Sequence, residues 1–507
     1  MARINSRRFL GDLDAANDRD FENHFFESTD LERILSSDSD VIYGSKGVGK
    51  TALRRALAEL KSSFFFATKT IDLDHISFNA VHIALSKLKE TTQTEIATLS
   101  RNTWRNVLAM YCLETVAETL PDTHRLKQRI DRLCEQEGFE GEDSNNNLMG
   151  QIERFLIMIA QAGLEEEAPT PLGLSKKQRN VVNIFPSNPE VQSALRECSS
   201  VIERSGKYVL LCLDGFDSIV DHTSESRRAI FAGLIDAIHK SSRDPLLAGF
   251  CFKAFLPQEL TEEAQSAVWD ADKHLLHTHY LRWNESDFQS FLKKRLMTYS
   301  RSKSSNFQDV WHEFMPDKVR NDSHGSEEPS FAYVLRHTLY RPRQLLTHLQ
   351  KILDKWDEGS SSFRVDPSFI PPVVATTNYD LARNVAAQLE IRHPGLTNFL
   401  QSWNGMPITV TASEFQDRLL KIFRYLEASE VNTVFDDLFN FGIFGIATKA
   451  TKGSQQTTFR FGFVGDRVAR NINTVVDQNT LLAFSPMFRE FCGCTPSEFG
   501  IVVPVEV

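Results

Sequence analysis

The chain has 507 residues, 41% of them hydrophobic and 24% charged, with a formal net charge of −10. The length exceeds one compact domain at the usual roughly 100–200 residues each and points to about three. The composition excludes a disordered or fibrous chain, and the negative balance excludes whole-chain attraction to nucleic acid or an anionic membrane. Seven cysteines are scattered without a C-x-x-C pair, as expected of a reduced compartment. No apolar signal-like core opens the chain and no run of about 18 apolar residues occurs, so a cytoplasmic chain that does not span a membrane is expected. The 37 phenylalanines predict aromatic cores.

In chain order, "FENHFFESTDLERIL" carries Phe25, Phe26, Leu31 and Ile34 and predicts a helix beside the first strand. "VIYGSKGVGKTALRRAL" follows. Gly44, four residues, then Gly49-Lys50-Thr51 complete the P-loop pattern G-x-x-x-x-G-K-[ST]. Gly44, Gly47 and Gly49 let the backbone turn tightly and approach a phosphate. The residues Ser45, Lys46, Val48 and Ala52 complete the cradle, whose successive N–H groups face an anion. Lys50 supplies a point charge for the β- and γ-phosphates, and the Thr51 hydroxyl suits Mg²⁺. An apolar strand precedes the loop, and Leu53, Ala56, Leu57 and Leu60 recur at helical spacing behind it. The expected ligands are therefore ATP or ADP and Mg²⁺.

Residues 64–73 predict a second strand, and residues 103–120 a helix. Periodicity is lost over 136–147 and 163–178, read as exposed loops of an insertion. "KYVLLCLDGFDSIV" predicts a buried parallel strand ending in Asp214, the carboxylate expected to hold Mg²⁺ through its water shell. Asp217, three residues on, is the candidate to orient or deprotonate an attacking water. A crossover helix, a strand over 245–256 and a last strand over 273–283 complete an α/β pattern with a parallel sheet. His277 and His279 would share a face of that last strand, but no carboxylate or cysteine follows at a zinc-like spacing.

Beyond residue 284 the pattern is helical, and residues 359–372 have linker composition. "SEFQDRLLKIFRYLEA" predicts a helix capped by Ser413 with Gln416, with Phe415, Leu419, Ile422 and Leu426 on one face. A second helix and a strand–turn–strand follow, an order that resembles a winged helix.

"GSKGVGKTAL" with "LLCLDGFD" resembles the STAND and AAA+-like P-loop ATPases, the signal-transducing branch in particular. "YLRWNESDFQSFLKKRL" is similar to the last strand, Trp and lid helix of bacterial members, and "YRPRQLLTHLQKIL" resembles the Pro-Arg that opens their sensor-2 helix. The resemblance implies that Arg343 reaches the γ-phosphate and tells ATP from ADP, that Lys253 takes the polar sensor-1 position, and that ATP binds between core and lid. It also implies slow ATP hydrolysis by a nucleotide-dependent switch or assembly module in bacterial conflict systems, including antiphage defence. A protein effector or self-association into a homo-oligomer would carry the output.

Three departures stand out. Gly215 replaces the Glu that follows the Mg²⁺ carboxylate in AAA+ proteins, which argues against fast turnover. No Arg lies between Arg243 and Arg282, where a trans-acting finger is usual, and no His follows His393.

The expected architecture is a P-loop α/β core over 1–290 with a helical insertion at about 80–200. A helical lid over 291–357, a linker over 358–373 and a winged-helix-like domain over 374–507 follow. The alternative function is a DNA-binding initiator- or helicase-loader-like ATPase. Against it, the candidate groove helix carries Asp436-Asp437, although Lys449, Lys452 and Arg460 lie on the wing. The second helix also holds Phe435, Leu438, Phe439 and Phe441, more apolar surface than a small domain is expected to cover alone.

Overall fold

The computed structural model describes residues 10–36, 40–72, 93–137, 139, 188–216, 225–258, 277–300, 304–321, 324–359, 364–449, 455–463, 472 and 476–505. The chain divides into two compact units, one of residues 29–45 with 50–279, the other of residues 1–28, 46–49 and 280–507.

In the first unit, α1 (Thr29–Ser36) leads to β1 (Val41–Gly44), and α2 (Lys50–Arg55) leaves the loop behind it. After β2 (Phe65–Asp72) come α3 (Gln93–Thr119), α4 (Arg125–Gln136) and α5 (Pro189–Ser205). Then β3 (Tyr208–Asp214), α6 (Glu225–Ser241), β4 (Phe250–Pro257) and β5 (Thr278–Tyr280) complete the unit. One sheet results, in the order β2-β3-β4-β1-β5. Its pairs β2 with β3, β3 with β4 and β4 with β1 are parallel, which requires crossovers, and the helices supply them. All of β1 and Val209–Leu213 of β3 are buried, the continuous apolar runs of a sheet covered on both faces. Ala254 of β4 stands opposite both Val41 and Leu213, so Gly44 and Asp214 end their strands at one edge of the sheet. This is the α/β fold of a P-loop NTPase. The loops read at 136–147 and 163–178 lie outside the described residues, apart from 136, 137 and 139. Helix α3 packs along α6, and Gly233 sets how close they come: a Cβ there would lie 2.6 Å from Ser100 Cβ and Oγ.

The second unit holds a one-turn helix, Phe21–His24, so the helix expected across 21–35 is broken at Phe25–Ser28. It continues with α7 (Glu285–Met297), α8 (Phe307–Phe314), β6 (Lys318–Asn321), β7 (Ser326–Pro329), α9 (Ser330–Arg336) and α10 (Pro342–Gly359). The region expected to be helical thus contains an antiparallel hairpin. Its core positions are partly polar, which hid the alternation. Glu328 is buried because Arg336 donates to both its oxygens, at 3.0 and 2.8 Å, and Asn321 Nδ2 donates at 2.9 Å.

The stretch read as a linker is built into the same core. Val365 is buried with its N–H on Phe314 O at 2.9 Å, and the Phe369 ring meets Trp356 edge-on at 5.0 Å. Helix α11 (Ile370–Arg392) starts there and spans two apolar clusters, with Ile370 and Val374 in the first and Ala382, Val385 and Leu389 in the second.

The second cluster belongs to α12 (Leu396–Gln401), β8 (Thr409–Thr411), α13 (Ala412–Ile422), α14 (Ala428–Asn440), β9 (Phe444–Lys449), β10 (Gln456–Phe461), β11 (Leu481–Phe484), α15 (Arg489–Cys492) and β12 (Ile501–Pro504). The strand, two helices and hairpin are present, but the sheet order β12-β10-β9-β11-β8 places β11 between β8 and β9 and adds β12 at the edge. Helix α13 is capped by Thr411 with Glu414, two residues before the expected pair, because Thr411 ends β8 in an extended conformation. The Phe415 ring lies 4.7 to 5.8 Å from those of Phe399, Trp403, Phe435, Phe444 and Phe484. Such tilted clusters fill a small core with few residues. Phe435, Leu438 and Phe439 are buried in this cluster, which Leu339 joins from before the domain, and Phe441 is partly buried against it, so little of the apolar surface expected on this helix is left uncovered.

Candidate nucleotide site

The P-loop connects β1 to α2. Gly47 and Gly49 have φ of +83° and +110°, values that side chains with a Cβ rarely adopt. Lys50 is the first residue of α2 and is buried, with Nζ 2.9 Å from Gly44 O and 3.5 Å from Ser45 O. The amine therefore lies across the loop's own mouth. Ser45 Oγ donates to Gln258 Oε1 at 3.0 Å, tying the loop to the chain just after β4. Ala52 follows on α2 and is half-buried.

Asp214 ends β3 beside α2. Its Oδ1 accepts the Gly215 N–H at 3.0 Å, and its Oδ2 accepts from Thr51 Oγ1 at 3.4 Å. Thr51 and Asp214 thus meet, and Lys50 precedes Thr51 at the start of α2 with its amine on the loop carbonyls. Thr51 and Asp214 offer oxygen donors only, the set that suits Mg²⁺. Asp72 of β2 is the register partner of Asp214, a second carboxylate at the same sheet edge. Asp217 lies outside the described residues.

Lys253 is the fourth residue of the eight-residue β4, buried, and opposite Cys212. It is therefore mid-strand, on the face Asp214 shares but one step deeper. Burial pushes the Cys212 thiol up to about 12; Arg54 and Lys253 pull it the other way. His279 Nε2 sits 2.8 Å from Asp30 Oδ1, an internal pair.

Residues Lys46–Gly49 group with the second unit, and three carbonyls of the loop are held there. Trp283 Nε1 donates to Val48 O at 2.8 Å, Arg343 N donates to Gly47 O at 3.3 Å, and Arg341 Nη1 reaches Lys46 O at 3.5 Å. A Cβ on Gly47 would stand 3.1 Å from Arg343 Cβ, a second reason for glycine there. The Arg343 guanidinium donates from Nε to Leu13 O at 3.3 Å. Tyr340, with φ +52°, turns the chain into α10 so that Arg341 and Arg343 meet the loop. It is the one non-glycine residue of positive φ among those described, and its N–H is held by Thr338 Oγ1 at 3.1 Å.

Sequence reasoning missed two of these residues. Trp283 stands out in the sequence only through a resemblance, and nothing there says that its indole meets Val48. Arg54 was passed over, yet its Nε donates to Asp214 Oδ2 at 2.9 Å and its Nη1 to Thr70 Oγ1 at 3.0 Å. The spacing held a signal: Lys50, Thr51 and Arg54 lie four and three residues apart and so share a helix face.

No family model matches the chain, and no curated protein does. Among solved structures it is similar to a Walker-type ATPase of Pyrococcus abyssi, at TM-score 0.40 and 11% identity over 92% of this chain and 96% of that one. It is also similar to the ORC2 protein of Aeropyrum pernix in ADPNP–ADP complexes, at TM-score 0.35 and 12% identity over 91% and 89%. The ADP form of that protein matches at TM-score 0.30 and 13% identity over 90% and 87%.

Proposed function

We propose that the chain binds Mg–ATP at the P-loop, hydrolyses it slowly, and uses the nucleotide as a switch. The observation that carries this reading is the grouping of Lys50, Thr51 and Asp214 at one sheet edge behind a loop with two positive-φ glycines. Lys50 would leave the carbonyls of Gly44 and Ser45 for the β- and γ-phosphates. Thr51 and Asp214 would hold the metal, which neutralises phosphate charge and polarises the γ-phosphoryl group. Asp217 would orient the attacking water. Gly215, in the place of a glutamate, removes the base that fast relatives carry, which supports slow turnover.

Arg343 would read the γ-phosphate and Lys253 would act as the polar sensor of β4. The backbone bond from Arg343 to Gly47 supports the first role, because any change at the loop is felt at the start of α10. By its resemblance to the STAND branch, the switch is assigned to a bacterial conflict system, with output through a protein effector or self-association. Lys50→Ala tests the reading. It should abolish binding of a labelled ATP analogue, and affinity near that of the parent chain would overturn it.

A further inference from the structure

The contact between Arg54 and Asp214 deepens this reading of the site and rests on it. We propose that Arg54 sets the Mg²⁺ requirement of the nucleotide site by competing with the metal for Asp214. Four observations support it. Arg54 Nε donates to Asp214 Oδ2 at 2.9 Å, the same oxygen that accepts from Thr51. The other oxygen is taken by the Gly215 N–H. The pair is well shielded, with side chains 20% and 14% exposed, so the attraction is screened far less than at a free surface. Finally, the guanidinium is aimed and does not sweep freely, because Nη1 is tied to Thr70 Oγ1 on β2 at 3.0 Å.

A divalent cation held by Thr51 and Asp214 would draw on the Asp214 oxygen that Thr51 and Arg54 share. The guanidinium lies against that oxygen and lowers the negative potential a dication would meet there. Loading the metal therefore means loosening the bond from Arg54. Residues Lys50 and Arg54, one helical turn apart, divide the work: one attracts phosphate, the other withholds the carboxylate from the metal until its concentration is high enough. Arg54 is a positioning residue in this scheme and needs no contact with the nucleotide.

The test is a Mg²⁺ titration of the full chain at a fixed, subsaturating concentration of fluorescent ADP analogue, with a parallel series in chelator. One charge-assisted hydrogen bond in a partly exposed pair corresponds to a factor of about ten. Arg54→Ala should lower the half-saturating Mg²⁺ concentration about tenfold and leave the affinity in chelator unchanged. Arg54→Lys should stay near the parent value. Thr70→Val, which frees Nη1 without touching either charge, should shift the midpoint in the same direction by about twofold, and it decides the matter if Arg54→Ala does not fold. An unchanged or raised Mg²⁺ midpoint in Arg54→Ala or Thr70→Val overturns the proposal. So does a loss of affinity in chelator, which would place Arg54 on the nucleotide itself. If the parent chain binds no nucleotide at any Mg²⁺ concentration, the P-loop reading fails and the proposal with it; intact binding with an unmoved midpoint removes the proposal alone.

Discussion

The α/β unit and the C-terminal domain treat their acidic residues in opposite ways. Asp214 stands at a strand end, and its side-chain partners Thr51 and Arg54 are on the helix that the P-loop opens. Asp436 and Asp437 stand inside α14 and are buried. Asp437 Oδ2 lies 3.1 Å from Arg392 Nε and 2.6 Å from His393 Nε2, and Asp436 Oδ1 accepts the Ile472 N–H at 2.8 Å. The sequence suggests an exposed acidic face at Asp436-Asp437, and the structure corrects it. All three carboxylates are satisfied, but only Asp214 is so by a residue of the P-loop pattern, Thr51. A carboxylate is legible as functional when its partners are themselves part of a motif.

Both units seat histidines on carboxylates, but the second also buries one against a backbone carbonyl. In the α/β unit, His239 and His279 each sit on a carboxylate, Asp40 at 3.2 Å and Asp30 at 2.8 Å. In the other unit His348 is fully buried, its Nε2 on His337 O at 3.1 Å, and burial drives its pKa down to about 4. The sign follows from linkage. Below pH 6.5 the unfolded chain takes up a proton that folded His348 refuses until about pH 4, so stability falls as pH drops through that window. At about 1.4 kcal/mol per pH unit, the loss reaches about 2 kcal/mol by pH 5 and about 3 kcal/mol by pH 4. Urea unfolding at pH 7 and pH 5 should show the parent chain losing about 2 kcal/mol more than His348→Gln. Equal losses would mean that the buried imidazole is not the cause.

How much was readable follows the same division. Strand, loop and helix from Val41 to Leu57 were legible because the P-loop pattern prescribes residue types at fixed spacing. The C-terminal ends of β3 and β4 were legible from apolar runs, whereas β4 starts only at Phe250, because Pro245–Leu247 form a 3-10 turn capped by Asp244. The sheet order was not, because it depends on which crossover each helix makes. The β6–β7 hairpin was hidden by Asn321 and Glu328 in core positions, and their partner Arg336 is supplied only by the fold. The Thr411 cap was missed because Ser413 offered an equally good local pattern, and only the end of β8 decides between them.

Arg343 tests whether the second unit reads the nucleotide or merely braces the loop. A charge-assisted bond to a phosphate is worth about 1.5–3 kcal/mol, so Arg343→Ala should bind ATP about ten- to a hundredfold more weakly and ADP as before. Equal changes for both nucleotides would leave Arg343 with only its backbone role at Gly47. Trp283→Phe probes the bracing alone. It keeps the ring packing against Phe288 and Phe291 and removes the donor to Val48 O. A neutral hydrogen bond contributes about 1 kcal/mol, so a loss of about fivefold is expected for ATP and ADP alike. A loss confined to ATP would move Trp283 into the sensing role assigned to Arg343.

The smallest expected effect concerns DNA. Burial of Asp436 and Asp437 leaves α14 without an acidic face, and what it does expose is small. Its exposed positions are Ala428, Ser429, Glu430 and Thr433, with no cation among them. From Val434 to Asn440 every residue is buried, which leaves no long face to enter a groove. Residues 412–470 carry eight Lys and Arg against seven Asp and Glu, or five once the buried Asp436 and Asp437 are set aside, a modest surplus where a duplex-binding domain shows a basic stripe. On the hairpin, Arg460 is exposed, and its guanidinium lies 5.7 Å from the Phe439 ring centre. Phosphate neutralisation supplies most non-specific affinity, and the exposed positions of α14 offer none of it. Titrating the full chain with random-sequence duplex at about 50 mM salt, where electrostatic binding is strongest, should therefore give no micromolar complex. Tight binding with a steep salt slope would reverse the assignment. The C-terminal domain would then be the reader of duplex, and the initiator-like alternative would replace the protein-coupled switch.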